Sequence, residues 1–250
     1  MISITSLTNP LIKHVVDLHD KKGRTEHQQC IVEGLRACQT FFQAGMALHR
    51  LFVTEEMLES VPAECPEHKL VLITDSIMKK MSTSSTPSGM LGVFLLPARL
   101  APYQLSSGFV LAQVQDPGNM GTLIRTAVAL NKKTIVIVEG VDPWSPKVIQ
   151  ATAGTIAFAK IFQWSWQELV QNKGQLPLCA LVVLGGDAPY QLALHNSLLV
   201  VGNEAHGLPA AWQKDCEQQL TLPMPGGTES LNAAVAGSIA LYQAYLQKKS

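Results

Sequence analysis

Three short stretches carry the residue types from which a catalytic site can be built. The first, QDPGNMGTLIRTA from Gln115 to Ala127, follows a buried apolar run directly. Asp116 to Asn119 make a turn there, Gly121 permits close approach, and Arg125 comes four residues later on the same face of a helix. The second, LLVVGNEAHGL from Leu198 to Leu208, ends an apolar run at Gly202 and opens a loop with Asn203 and Glu204. Backbone amides bared in such a loop can hold a carboxylate or an adenine edge. The third runs from Leu222 to Leu241 and reads LPMPGGTESLNAAVAGSIAL. Pro223 and Pro225 cannot donate to a sheet ladder, so a strand stops here, Gly226 and Gly227 let backbone lie close to a ligand, and TESLN offers polar groups where a helix begins. Arg125 stays protonated, with a pKa above about 12, so it can stabilise developing negative charge but is a poor base.

The elements that must hold these loops are legible around them. From FVLAQVQ onward, apolar runs (TIVIVEG, AFAKIF, LCALVVLG, LLVVGNE, LTLPM) alternate with helical segments: one from about Met120, others around Pro146 to Ala151, Trp166 and Pro209, and a final one. Near-continuous Val, Leu and Ile strands joined by helices predict an α/β fold with a mostly parallel sheet covered on both faces. Ligands in such sheets sit at the carboxyl ends of the strands, where all three stretches fall. No GxGxxG follows the first strand, which disfavours a dinucleotide-dependent oxidoreductase and moves any cofactor to the C-terminal loops.

The first part of the chain is a smaller α/β unit. Asn9-Pro10 caps a helix expected to run to Gly23, CIV is a short strand, and EGLRACQTFFQAG is a second helix. LHRLFVT and KLVLIT are strands with an acidic helix between them, DSIMKKM is helical, and the polar STSSTPSG precedes the strand MLGVFLLP. We divide the chain into residues 1–96, a linker 97–107 with two prolines, and a second domain 108–250. No internal repeat stands out.

Composition limits the partners. Of 250 residues 47% are hydrophobic and 15% charged, enough to bury one large core or two modest ones. Lys plus Arg and Asp plus Glu number 19 each, so nucleic acid would have to be met by a local patch, the nearest being Lys13, Lys21, Lys22 and Arg24 among His14, His19 and His27. The five cysteines are widely spaced and form no CxxC, which indicates neither a disulfide framework nor a metal site. No apolar run has the length of a membrane span and the first residues lack a signal-peptide pattern, from which a cytoplasmic location is expected.

Taken together the three stretches resemble the signature motifs of the SpoU (TrmH-type) RNA ribose methyltransferases. The first matches at Asn119, Gly121, Arg125 and Thr126, and the second at Gly202, Asn203 and Glu204, with Ala205 where the family usually has glycine. The third matches at Pro223, Met224, Gly226, Ser230, Leu231 and Asn232. The resemblance covers residues 108 to about 247. A weaker one covers the first domain, where CIVEGLRAC and a Pro-Ser-Gly turn are similar to the family's accessory domain, itself akin to a ribosomal RNA-binding protein fold. Glu33, Gly34 and Arg36 could face RNA there.

The resemblance implies a C-terminal trefoil knot and transfer of methyl from S-adenosylmethionine to a ribose 2′-hydroxyl of structured RNA, without a metal. The donor would rest on Gly185, Gly202, Asn203, Leu222, Met224 and Leu231. Asn119 and Arg125 would organise the acceptor, Ser230 and Asn232 would hold donor or ribose, and Glu204 would order the loop or pair with Arg125. Family members are homodimers, and the apolar last helix has the content for that interface. Members with an accessory domain mostly act on ribosomal RNA, whereas those acting on transfer RNA often have only short extensions, which makes ribosomal RNA the expected substrate. A transfer RNA ribose methyltransferase, a base acceptor, and a non-catalytic RNA-binding assembly factor of the same fold stay open.

Overall fold

A computed structural model describes residues 1–227 and 229–247, so Thr228 of the third stretch lies outside the described residues. The chain divides into two compact units, one of Met1–Ala98 with Asp142–Ala157, the other of Arg99–Val141 with Phe158–Ser250.

The first unit is built on a five-stranded sheet of β1 (Ile2–Ile4), β2 (Gln29–Glu33), β3 (Leu48–Val53), β4 (Leu70–Ile73) and β5 (Met90–Leu95), ordered β1-β4-β3-β5-β2. β1 and β3 run parallel to β4, while β2 and β3 run antiparallel to β5. Helices α1 (Pro10–Asp17), α2 (Lys21–His27), α3 (Leu35–Gln43) and α4 (Asp75–Met81) accompany it. Ile12, Val15 and Leu18 from the α1 segment and Ile77 and Met81 of α4 share a buried core with Ile31, Phe52 and Val71 of the strands.

Where one helix to Gly23 was expected, there are two. The buried Arg24 gives Nη1 to the carbonyls of Leu18 (2.8 Å) and His19 (2.6 Å), which a continuing helix would have used internally. Arg24 therefore does not belong to an RNA-facing basic patch. The acidic segment Glu55–Ser60 is a 3-10 turn rather than an α-helix. Glu33, considered for RNA contact, instead accepts from Ser82 Oγ, Thr83 N and Thr83 Oγ1 and so shapes the polar loop before β5.

The second unit holds six parallel strands. β6 (Gly108–Ala112) is followed by α5 (Pro117–Ala129) and β7 (Thr134–Val138). The chain then enters the first unit with Asp142–Ala157, which contains α6 (Pro146–Ala151), before returning. Asp142 forms the buried partner of Arg24 at 2.6 Å, and α6 lies against β2. β8 (Lys160–Gln163), α7 (Trp166–Asn172), β9 (Leu178–Leu181), β10 (Leu198–Val201), α8 (Ala210–Gln213), β11 (Gln218–Leu220) and α9 (Ala233–Gln247) complete the unit. The order is β11-β9-β10-β6-β7-β8, with every pairing parallel. All residues of β6, β7 and β10 are buried, which is what strands covered on both faces require.

The sheet grows from β6 outward to β8 and begins again on the other side of β6, so its switch point lies between β6 and β10, whose carboxyl ends carry the first and second stretches. Residues of the expected linker belong here, since Leu100 and Leu105 pack against this unit's core. The pentapeptide APYQL occurs twice, at Ala101–Leu105 and Ala188–Leu192. Both copies make the same 3-10 turn, with the alanine N–H held by the glutamine Oε1 at 2.9 Å.

Candidate functional site

The loops at the carboxyl ends of β9, β10 and β11 enclose a cavity of about 480 Å³, large enough for a small organic ligand. Its second wall comes from the start of α9. The loop after β10 is closed on itself, Asn203 N donating to Gly207 O at 3.0 Å and Gly207 N to Asn203 O at 2.9 Å. This closure needs Gly202, since a Cβ there would lie 2.5 Å from the Gly207 carbonyl carbon and from Leu208 N. Asn203 uses its whole side chain on the fold: Nδ2 donates to Gln113 O at 2.9 Å, and Oδ1 accepts from Ala205 N and His206 N. Ala205 keeps a negative φ, so alanine fits where the family usually has glycine.

One hydrogen-bonded chain joins the three stretches. Asp116 caps α5, its Oδ1 accepting from Asn119 N at 2.7 Å with Pro117 in the first turn. Asn119 Nδ2 donates to Glu204 Oε1 at 3.1 Å, and Asn119 Oδ1 accepts from Asn232 Nδ2 at 3.0 Å. Glu204 also accepts from the backbone amides of Gln115 and Asp116. Partial burial works to raise its carboxyl, but these bonds, that from Asn119 first, outweigh it and hold Glu204 below the usual carboxylate range. Asn232 in turn caps α9 through Ala234 N and Val235 N.

Of the residues expected to hold a cofactor, Gly202, Asn203, Leu222, Met224 and Leu231 line the cavity. Gly185 does not; its neighbours Val183 and Leu184 do, and Leu184 is 83% exposed, an apolar side chain at the lip. Glu204 and Ser230 also line it, whereas Asn119 and Asn232 are not among its lining residues and Arg125 lies on the exposed face of α5. Among the described residues no ion pair joins Arg125 to Glu204, whose oxygens are taken up by Asn119 and two backbone amides. His206 is exposed and lines the cavity as well.

Sequence reasoning passed over Gln113 and Glu139, which end β6 and β7 with left-handed backbones (φ 57° and 52°) and bond to each other through Gln113 Nε2 and Glu139 Oε2. Gln115 Nε2 adds a bond to Glu139 O. Backbone strain of this kind clusters at ligand sites, and nothing in residue type would have marked it.

The cavity has apolar walls from Leu, Val and Met side chains and a rim of loop backbone, which suits a small organic ligand. Residues 107–242 match the SpoU rRNA Methylase family and residues 9–92 the MRM3-like substrate binding domain. An uncharacterized tRNA/rRNA methyltransferase of Synechocystis sp. is 30% identical, over 98% of this chain and 94% of that protein. The 23S rRNA (guanosine(2553)-2′-O)-methyltransferase RlmP of Bacillus subtilis is 27% identical over 97% and 98%. The AdoMet-bound rRNA methyltransferase of Sinorhizobium meliloti superposes with a TM-score of 0.87 at 25% identity, covering 98% of this chain and 97% of that one.

Proposed function

The chain belongs to the SpoU rRNA Methylase family, and from that premise we propose that it transfers a methyl group from S-adenosylmethionine to a ribose 2′-hydroxyl of ribosomal RNA. The observation that carries this reading is the Asn232–Asn119–Glu204 chain, which locks the three loop segments together beside a cavity of fitting size. When bound, S-adenosylmethionine supplies a methyl already activated by its sulfonium, so the protein's work is alignment and charge stabilisation. Backbone at Gly202 and Met224, with the side chains of Leu222 and Leu231, would hold the donor. Ser230, exposed at the lip, would bind donor or ribose. Asn119 and Glu204 position the wall, and Arg125 stabilises the alkoxide that develops on the 2′-oxygen, leaving the proton to another acceptor.

The trefoil knot belongs to the same proposal. β11 lies at the sheet edge, whereas α9 packs on α5 and β10, an arrangement in keeping with a chain that crosses the carboxyl end of β9. There the loop after β9 is bonded to the same strand end, through Val182 N to Leu220 O, Asp187 N to Gln219 O and Thr221 N to Asp187 O. Homodimerisation is supported by Val235, Ile239, Tyr242 and Leu246, a helical stripe on α9 that is 40–50% exposed. The match of residues 9–92 supports an RNA-binding role for the domain of residues 1–96, joined through residues 97–107 to a catalytic domain of 108–250. Among the described residues no helix is long and apolar enough to cross a membrane, and the similarity to the ribosomal RNA methyltransferase of Bacillus subtilis supports a cytoplasmic location.

The test is transfer of label from S-adenosylmethionine to total RNA, followed by sizing of the product. Label in ribosomal RNA supports the reading. Label confined to transfer RNA would replace the substrate, and donor binding without transfer to any RNA would replace the activity with a binding role.

A further inference from the structure

On the first unit, several segments bring basic and titratable side chains together. The ring of His14 on α1 lies 4.4 Å from that of His27 at the end of α2 and 6.0 Å from that of His49 on β3. Arg50, next along β3, and Lys69, just before β4, act on His49 with the same sign as His14. All five side chains are half-buried.

Their hydrogen bonds go to neutral groups. His14 Nε2 meets Gln29 Oε1 at 2.7 Å, Arg50 Nη1 donates to His49 O at 2.9 Å, and Lys69 Nζ donates to Leu48 O at 2.6 Å. Arg50 Nε is buried without a partner. Among the described residues, no carboxylate bonds to or pairs with any of the five. Burial first, and then the charges of Arg50, His14 and Lys69, hold His49 below the ordinary imidazole range. A cluster of this composition lacks an anion, and an anion placed beside it would favour the charged His49 imidazole that the cluster alone disfavours. A metal is not its complement, since no group of three or more ligating side chains among the described residues has the geometry to hold one.

We propose that His14, His27, His49, Arg50 and Lys69 form a phosphate-binding site for the RNA backbone, in which Arg50 and Lys69 carry permanent charge and the imidazoles add charge as they protonate. The inference rests on the RNA methyl-transfer reading above. It makes the grip of the first unit on RNA depend on pH, in contrast to the exposed Lys21 and Lys22 of α2, which contribute charge at any pH near neutrality.

Filter binding of end-labelled, deproteinised ribosomal RNA to the full chain tests it. Between about pH 8 and about pH 6 the affinity of the unaltered chain should rise roughly tenfold. The variant His14→Gln/His27→Gln/His49→Gln should lose that rise, and at about pH 6 its salt dependence should flatten by about one counterion. Lys21→Ala/Lys22→Ala should weaken binding at both pH values and keep the ratio. Each variant is first checked for an unchanged unfolding curve, and His27→Gln alone, expected to show part of the loss, serves if the triple variant does not fold. A triple or single variant that keeps the full pH ratio overturns the inference. Methyl transfer by the unaltered chain together with that outcome removes the phosphate site and leaves the activity standing. A pH ratio that collapses in the variant while no methyl is transferred removes the activity and leaves the site.

Discussion

Replacing Asn119 with Ala removes two hydrogen bonds at once, leaving the Asn232 amide without its partner and Glu204 Oε1 with only the Asp116 amide. Because neither partner is deeply buried, the loss falls on geometry more than on stability. We expect a drop of about 10²-fold in methyl transfer with little change in the unfolding midpoint. An unchanged rate would show that the bonded chain is incidental. Glu204 gives a pH-dependent counterpart. Its carboxyl sits below its ordinary value of 4.5, so the stability it contributes is present above that pH and is lost as pH falls through the lower, folded-state value. Solvent screening keeps this below about 1 kcal/mol. Glu204→Gln should therefore flatten the acid limb of the stability curve slightly, read by denaturant titration at several pH values. The residue types of this network were legible in the sequence, including Gly202, Asn203, Glu204, Ser230 and Asn232. Who bonds to whom was not: Asn119 and Glu204 are 85 positions apart, and nothing local marks Gln113 O as a partner of the Asn203 side chain.

At the scale of elements, the strands other than the short β1 and most helices followed from local pattern, and the two APYQL turns show how far local sequence can dictate local form. The misread elements are those decided by distant partners. Arg24 holds the carbonyls of Leu18 and His19 just past the end of α1, with Asp142 behind it. α9 is held by the close approach of Gly237, where a Cβ would fall 2.5 Å from Leu123 Cδ2 and 3.0 Å from Val201 Cγ2. Gly237→Val should destabilise the fold by about 1–3 kcal/mol, measured from denaturant midpoints. A neutral result would mean that α9 is more loosely seated on α5 and β10 than its contacts indicate. On the opposite face, Ile239→Asp/Tyr242→Asp should convert the proposed homodimer to monomer in equilibrium sedimentation, while a chain already monomeric would leave the exposed stripe without that role.

For the whole molecule, the least legible feature is the excursion of Asp142–Ala157 into the first unit. Its composition resembles the helical segments on either side, and no residue in it signals that Asp142 will lie against Arg24, with side chains 12% and 4% exposed. Asp142→Ala should cost about 3–5 kcal/mol by leaving the guanidinium buried and unpaired, whereas Arg24→Met/Asp142→Leu should recover much of that loss, both read by chemical denaturation. The division of labour that the sequence suggested, an RNA-holding part and a methyl-transferring part, rests on the central claim about chemistry. That claim is tested most directly by nucleoside analysis of ribosomal RNA after incubation with S-adenosylmethionine and either the unaltered chain or Arg125→Ala. A 2′-O-methylnucleoside made by the unaltered chain, and made at least about 10²-fold more slowly by the variant, is the predicted result. A methylated base in place of a methylated ribose, or equal 2′-O-methylation by both chains, would contradict it.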